Sequence, residues 1–176
     1  MSRAQGQYFA FLDCDDIWKK EKINIQYNFM IKHKLEFSHT SYEIINYRDD
    51  LIGIMRVKKE LFYKDLLNSC DIGLSTVMMK KNLIQISNFK NLNTKEDYAL
   101  WLEYSRKNIN IIGIDEILTS WRKLKNSLSN SIIDKFKNAF KVYYVFEKKN
   151  LIISFFLVIN LAIFYIVKKI KQLKKI

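Results

Sequence analysis

Phe9-Ala10-Phe11-Leu12-Asp13-Cys14-Asp15-Asp16-Ile17-Trp18 is the stretch on which the reading of the fold turns. An apolar run stops there at three carboxylates within four positions. A short apolar run, rich in aromatics and bounded by polar residues, reads as a buried strand. Such strands belong mainly to parallel sheets covered on both faces. Open α/β sheets bind ligands just beyond the carboxyl ends of their strands. Asp13 and Asp15 therefore stand where a ligand would stand. On extended backbone, side chains two apart point the same way, so the pair can share one target. Carboxylates that close repel unless a cation lies between them. Hard oxygen ligands at this spacing suit Mg2+ or Mn2+ that also holds a phosphate. The same residues also fit an exposed acidic turn, with Asp16 capping the helix that follows.

Composition bounds the alternatives. The chain has 176 residues, enough for one domain with a core. It is 49% hydrophobic and 27% charged, which places it among globular rather than disordered chains. Lysine and arginine number 30 against 18 acids, a net charge of +12. Such a balance favours polyanions or anionic membrane surfaces. No recognised nucleic-acid motif accompanies it, so nucleic acid is not expected as a partner. Cys14 and Cys70 form no paired spacing and His33 and His39 stand alone, so neither a disulfide framework nor a zinc site is expected.

Along the chain, alternation and periodicity predict a strand over 8–13, a helix over 17–34 and a strand or hairpin over 36–47. A turn at 48–50 precedes a strand over 51–57 and a helix over 59–68. A strand follows over 73–80, then a short helix or loop over 82–89 and a helix over 96–107. Separate strands are predicted at 109–114 and 118–122, and a helix over 134–148. The segment 151–167 carries no charge and is bounded by Lys148-Lys149 and Lys168-Lys169. Its length sits at the lower end of the roughly 17–25 residues of a membrane span. It also fits a buried terminal helix. The bordering lysines, able to reach headgroups, favour the membrane. Both flanks are basic, so charge does not orient it, and a helix lying on the cytoplasmic leaflet fits equally.

Two further segments carry polar groups in suggestive places. Thr94-Lys95-Glu96-Asp97-Tyr98 sets two acids at a helix start, which alone fits dipole matching. Trp101 on that helix reads as core, with a ligand-stacking ring as the alternative. Ser120-Trp121-Arg122 runs into a loop with Ser127 and Ser129, alone a solvated basic turn.

Taken in order, Phe-Leu-Asp-x-Asp-Asp-x-Trp, Ile-Gly-x-Ser-Thr-Val-Met, Glu-Asp-Tyr-x-Leu-Trp-Leu and Trp-Arg-(x)4-Ser-x-Ser resemble the family 2 glycosyltransferases, above all the bacterial enzymes that build surface polysaccharides. The resemblance runs from about Gly6 to Ser129. It implies an α/β fold of GT-A type, a mixed sheet with flanking helices, and transfer of a sugar from a nucleotide donor with inversion. Asp13 and Asp15 match the family's DXD motif, with Asp15 the expected ligand of a divalent metal (Mn2+ or Mg2+) on the donor diphosphate. Asp97 matches the general base, Glu96 its neighbour, and Arg122 a basic position near the diphosphate. An acceptor contact through Glu96 and Trp101 is part of what the resemblance implies. The QxxRW signature of processive synthases is absent, which implies single additions.

The family's fold opens with strands that bind the nucleotide base. Here the acid-bearing strand comes almost at once, so the resemblance implies the C-terminal portion of the GT-A domain over 1–130, followed by a helical tail over 131–176. The expected partners are a nucleotide-sugar, UDP-sugar above all, a glycan or lipid-linked acceptor, and the cytoplasmic face of the cell membrane through 151–167. The alternative is a non-catalytic remnant that binds a membrane or a partner.

Overall fold

The structure is a computed structural model that describes residues 4–124 and 132–173. Its framework is one mixed sheet of β1 (Tyr8–Ala10), β2 (Ile17–Trp18), β3 (Phe37–Ile45), β4 (Leu51–Met55), β5 (Glu60–Leu61), β6 (Met78–Lys80) and β7 (Ile111–Arg122). The strand order is β1-β6-β3-β7-β2, with β4 added to β3 and β5 to β7. The long pairing of β3 with β7 is parallel and the other described pairings are antiparallel. Helices α1 (Lys22–Lys32), α2 (Tyr63–Asn68), α3 (Asn82–Ile86), α4 (Glu96–Arg106), α5 (Ile132–Lys141) and α6 (Leu151–Leu173) flank it.

The β3–β7 spine is where the β-branched and aromatic residues concentrate, and it is covered on both faces. On one face Gln26 of α1 donates to Ser38 Oγ (3.0 Å). On the other, Phe37 meets the Trp101 ring of α4 edge-on, with centroids 4.9 Å apart. Helix α4 is the centre of the core: Tyr98, Ala99, Leu100, Trp101, Leu102 and Tyr104 are all buried. Tyr98 and Tyr143 donate their hydroxyls to the carbonyls of Leu66 and Leu67, pinning α2 (2.6 and 2.8 Å). Val142, Tyr143, Val158 and Leu161 join the same core cluster, so the helices after residue 131 pack onto the sheet domain.

Several expected elements change form, each for a local reason. The opening strand is not parallel: β1 runs antiparallel to β6, with Tyr8 opposite Lys80. The helix predicted over 17–34 begins only at Lys22. Ile17 and Trp18 are instead extended against Ser120 and Thr119 of β7. The Trp18 indole N–H donates to the Ser75 carbonyl (2.7 Å), which holds that extended form. The strand predicted over 73–80 starts as a 3-10 turn at Leu74–Thr76. There the Thr76 hydroxyl donates back to the Gly73 carbonyl (2.7 Å), a local bond that competes with the ladder. The helix predicted over 59–68 divides into β5 and α2, where the Asp65 carboxylate takes the Phe62 N–H (3.1 Å). The two strands expected at 109–114 and 118–122 are one. Register shifts around Ser41 absorb the Asp115-Glu116 interruption. Ser41 then donates its hydroxyl to Asp115 (2.7 Å).

One glycine is fixed by close approach. A Cβ at Gly113 would stand 2.1 Å from the Lys58 carbonyl oxygen, because β5 crosses β7 at that point.

Candidate functional site

After β1 the chain turns sharply through Asp13–Asp16, closed by a bond from the Asp16 N–H to the Asp13 carbonyl (3.1 Å). The residues are therefore not on extended backbone, and the shared direction expected of Asp13 and Asp15 from strand alternation does not apply. What fixes them is a pair of supports from elsewhere in the chain. Ser75 Oγ accepts the Asp13 N–H (3.0 Å). The Ser75 carbonyl takes both the Trp18 indole and the Thr119 hydroxyl. On the opposite side, Arg122 gives its backbone N–H to Asp16 Oδ1 (2.9 Å) and its Nε to the Asp15 carbonyl (2.9 Å). Its Nη1 reaches the Asn46 carbonyl and the Asp49 carboxylate. Arg122 thus braces the acidic turn at its backbone.

The three acids divide by environment. Asp16 is buried and spent on structure. Its role as a helix cap is excluded, since the next element is a strand. Asp15 is half-buried and Asp13 exposed. Among the described residues neither carboxylate has an ion-pair partner. The Asp13 carboxyl is nonetheless pushed above its ordinary range, first by partial desolvation, then by the charges of Asp15 and Glu96. Asp16 is raised as well, again mainly by burial, with the Ser75 hydroxyl and the Arg122 N–H opposing.

Asp97 lies on the first turn of α4, after Lys95 adopts a left-handed backbone (φ 71°) to start the helix. It is partly buried. Burial raises its carboxyl to about 6, with Glu96 and Asp13 adding and the Tyr98 N–H and Lys95 opposing. The charge of Glu96 acts on Asp13 and that of Asp13 on Asp97, which places the turn after β1 and the start of α4 within electrostatic reach of one another. Sequence separates these segments by some eighty residues, and the fold brings them together.

Donor chemistry tests what such a site could hold. Two carboxylates whose charges repel, with no protein cation between them, suit a hard divalent ion. Among the described residues no three His, Cys, Asp or Glu side chains converge into a cage. Mg2+ and Mn2+ sites that depend on one or two carboxylates and complete themselves with phosphate oxygens need none. Asp13 and Asp15 fit that kind of site.

Of the remaining sequence candidates, Trp101 is fully buried among Phe37, Phe89 and Tyr104. Its core reading holds, and the alternative of a ligand-stacking ring or acceptor contact is corrected. Glu96 is partly buried, and its Oε2 has no partner among the described residues. Ser127 and Ser129 lie outside the described residues.

Sequence reading missed Ser75, Cys70 and Lys95. The Cys70 thiol is pushed up to about 11, chiefly by burial, with the charge of nearby Lys95 opposing. Ser75 lay inside a run read as strand, where the neighbouring hydroxyls of Ser75 and Thr76 were the available signal.

Comparison with known proteins decides the family. The model of "Glycosyl transferase family 2" matches residues 1–91. The chain belongs to glycosyl transferase family 2. A curated relative, the putative teichuronic acid biosynthesis glycosyltransferase TuaG of Bacillus subtilis, is 34% identical over 84% of this chain and 58% of its own. The UDP-Glc:alpha-D-GlcNAc-diphosphoundecaprenol beta-1,3-glucosyltransferase WfgD of Escherichia coli is 34% identical over 79% of this chain and 54% of its own. The chain thus spans about half the length of these family 2 relatives. TarS of S. aureus, residues 1–349 solved with UDP-GlcNAc, superposes with a TM-score of 0.62 at 16% identity. The match covers 82% of this chain and 43% of the solved 1–349 segment, and it shows a GT-A-like fold.

Proposed function

We propose that this chain carries the catalytic side of an inverting glycosyltransferase of cell-surface polysaccharide synthesis. It moves a sugar from a nucleotide-sugar, a UDP-sugar, to a hydroxyl of a glycan or lipid-linked acceptor. The observation that carries the reading is Asp97 in the first turn of α4, its carboxyl raised to about 6 by burial, with the charges of Glu96 and Asp13 adding. The curated relatives, one of them acting on a sugar linked to diphosphoundecaprenol, support the substrate classes.

Asp15 and Asp13 would hold the divalent metal, which neutralises charge on the departing diphosphate. The Asp13–Asp16 turn, braced by Ser75 and Arg122, orients the donor. Asp97 takes the proton from the acceptor hydroxyl. A base with a pKa near the working pH is efficient in that role, a contribution of about 10²–10⁴-fold. One displacement inverts the anomeric centre and needs no covalent partner. Glu96, beside Asp97, is the acceptor contact in this reading, and the diphosphate contact of Arg122 belongs to it as well. Helix α6 holds the protein at the cytoplasmic face of the cell membrane.

Calorimetric titration with UDP-Glc and Mn2+ tests the donor side directly. Heat of binding that disappears in Asp15→Ala supports the reading. Absence of binding to the wild-type chain favours the non-catalytic remnant.

A further inference from the structure

Helix α6 is long and apolar enough to cross a bilayer by length and composition. Its contacts point to another placement. One stripe along the helix docks on the domain: Ser154, Val158 and Leu161 are buried, and Asn160 donates to Asn68 at the end of α2. Further along, the Lys168 ammonium pairs with Asp71 and Ser69. The docked stretch from Ser154 to Lys168 covers roughly 21 Å at about 1.5 Å per residue. That length is most of the thickness of a hydrocarbon core, about 30 Å. A spanning helix docked in this way would draw Asn68, Asp71 and the polar end of α2 into hydrocarbon, where unsolvated charges are costly.

The rest of the helix surface is apolar and open. Most of the stretch Leu151–Lys168 is open, and Phe155, Phe156, Ile159, Ile163, Phe164 and Ile166 are exposed. Lys148 and Lys149 precede it and Lys168 ends it. An apolar face preceded by Lys148 and Lys149 is complementary to the surface of an anionic bilayer, where the face sinks to the acyl boundary and these two lysines meet phosphates while Lys168 stays paired with Asp71.

The helix also adjoins the site. Ser69 and Asp71, gripped by Lys168, follow directly on α2, whose Leu66 carbonyl takes the hydroxyl of Tyr98 in the first turn of α4, next to Glu96 and Asp97. We propose that α6 lies in the plane of the membrane interface rather than across it, and that it holds the Asp97 side of the site against the headgroup layer. This rests on the membrane placement proposed above. It adds that the acceptor hydroxyl is presented from the lipid surface, a few sugar lengths at most from its anchor.

The test uses the full chain and no donor, so its outcome is independent of sugar transfer. Wild type is mixed with vesicles of phosphatidylcholine, alone or with phosphatidylglycerol. Binding should be roughly tenfold or more tighter with the anionic lipid, as two lysines near the surface imply. Ile152→Trp, Ile159→Trp and Ile163→Trp, which share the helix face opposite the docked stripe, are then read by quenching with lipids brominated near the headgroup or near the chain end, against the wild-type background. All three positions are exposed, so the substitutions leave the packed stripe intact. An interfacial helix gives all three the same shallow profile. A spanning helix places Ile159→Trp deepest and overturns the proposal. So does absence of binding to both vesicles, or closure of the face by dimerisation of the chain in solution.

Discussion

Asp97 carries the functional argument because its environment suits a base better than a surface acid. Its carboxyl is raised to about 6 by burial and by Glu96 and Asp13. A base works deprotonated, so sugar transfer should rise with pH through about 6 and level off above it. This is measured as the acid limb of kcat/KM in a chain carrying the rest of the family domain. Asp97→Asn should remove the limb and lower the rate about 10²–10⁴-fold. An unchanged rate would mean that the base lies elsewhere. Asp16 illustrates the opposite case, an acid of the same cluster that has become structural. Its carboxylate is buried and accepts the Arg122 N–H. Asp16→Ala leaves that donor unmet and should cost about 1–3 kcal/mol in denaturant unfolding. Asp13, Asp15 and Asp97 were legible in the sequence because each follows or opens an apolar run, the place where side chains reach a site. Ser75 and the neighbouring Cys70 and Lys95 were not, since their roles exist only once segments distant in sequence meet.

At the scale of elements, sequence patterns marked most of the ordered segments, and their failures share one cause. Ile17-Trp18, Glu60-Leu61 and Met78–Lys80 are strands of two or three residues. Segments that short hold no period of their own. They are extended because β7, β3 and β1 offer them backbone partners. The reverse happens in β7, where the acids Asp115 and Glu116 looked like a break and the parallel partner β3 carried the strand through them. Gly113 is the position that lets β5 lie close across β7. Gly113→Ala drives a Cβ into the Lys58 carbonyl, a backbone atom that cannot swing aside. The expected cost is about 1–3 kcal/mol, the range of overpacked cores. Its sign is checked by the midpoint of thermal unfolding. A neutral substitution would mean that β5 is free to lift away from β7.

For the whole molecule, the site's chemistry and the fold's stability pull in opposite directions across pH. Glu103 is held down to about 2: burial opposes, and bonds from Lys107, Lys90 and Ser87 outweigh it. A depressed carboxyl contributes stability that is present above its unfolded value and lost as pH falls through the folded one, here between about 4.5 and 2. Asp97 has the opposite sign. Its folded value is raised from 3.8 to about 6, so the folded state binds the proton more tightly. Stability from Asp97 is therefore full below about 4 and lost as pH rises to about 6. A shift of some two units bounds the loss at about 3 kcal/mol. Buried His39, lowered from 6.5 to about 4 mainly by desolvation, has the reverse sign and gains stability as pH rises over that same range. The Asp97 contribution is therefore read from its variant rather than from the pH optimum of the whole protein. Asp97→Asn should raise the unfolding temperature at pH 7, measured in detergent that covers α6. The gain should shrink through pH 6 and vanish below pH 4, where both chains are neutral at that position. Glu103→Gln should flatten the acid limb and leave the loss toward pH 6 unchanged. A protein that gains stability on losing the group proposed to drive its chemistry stores strain at the site. A variant no more stable than wild type at pH 7 would show that Asp97 is not strained in the free protein, and the raised base would have to arise only when donor or acceptor closes over it.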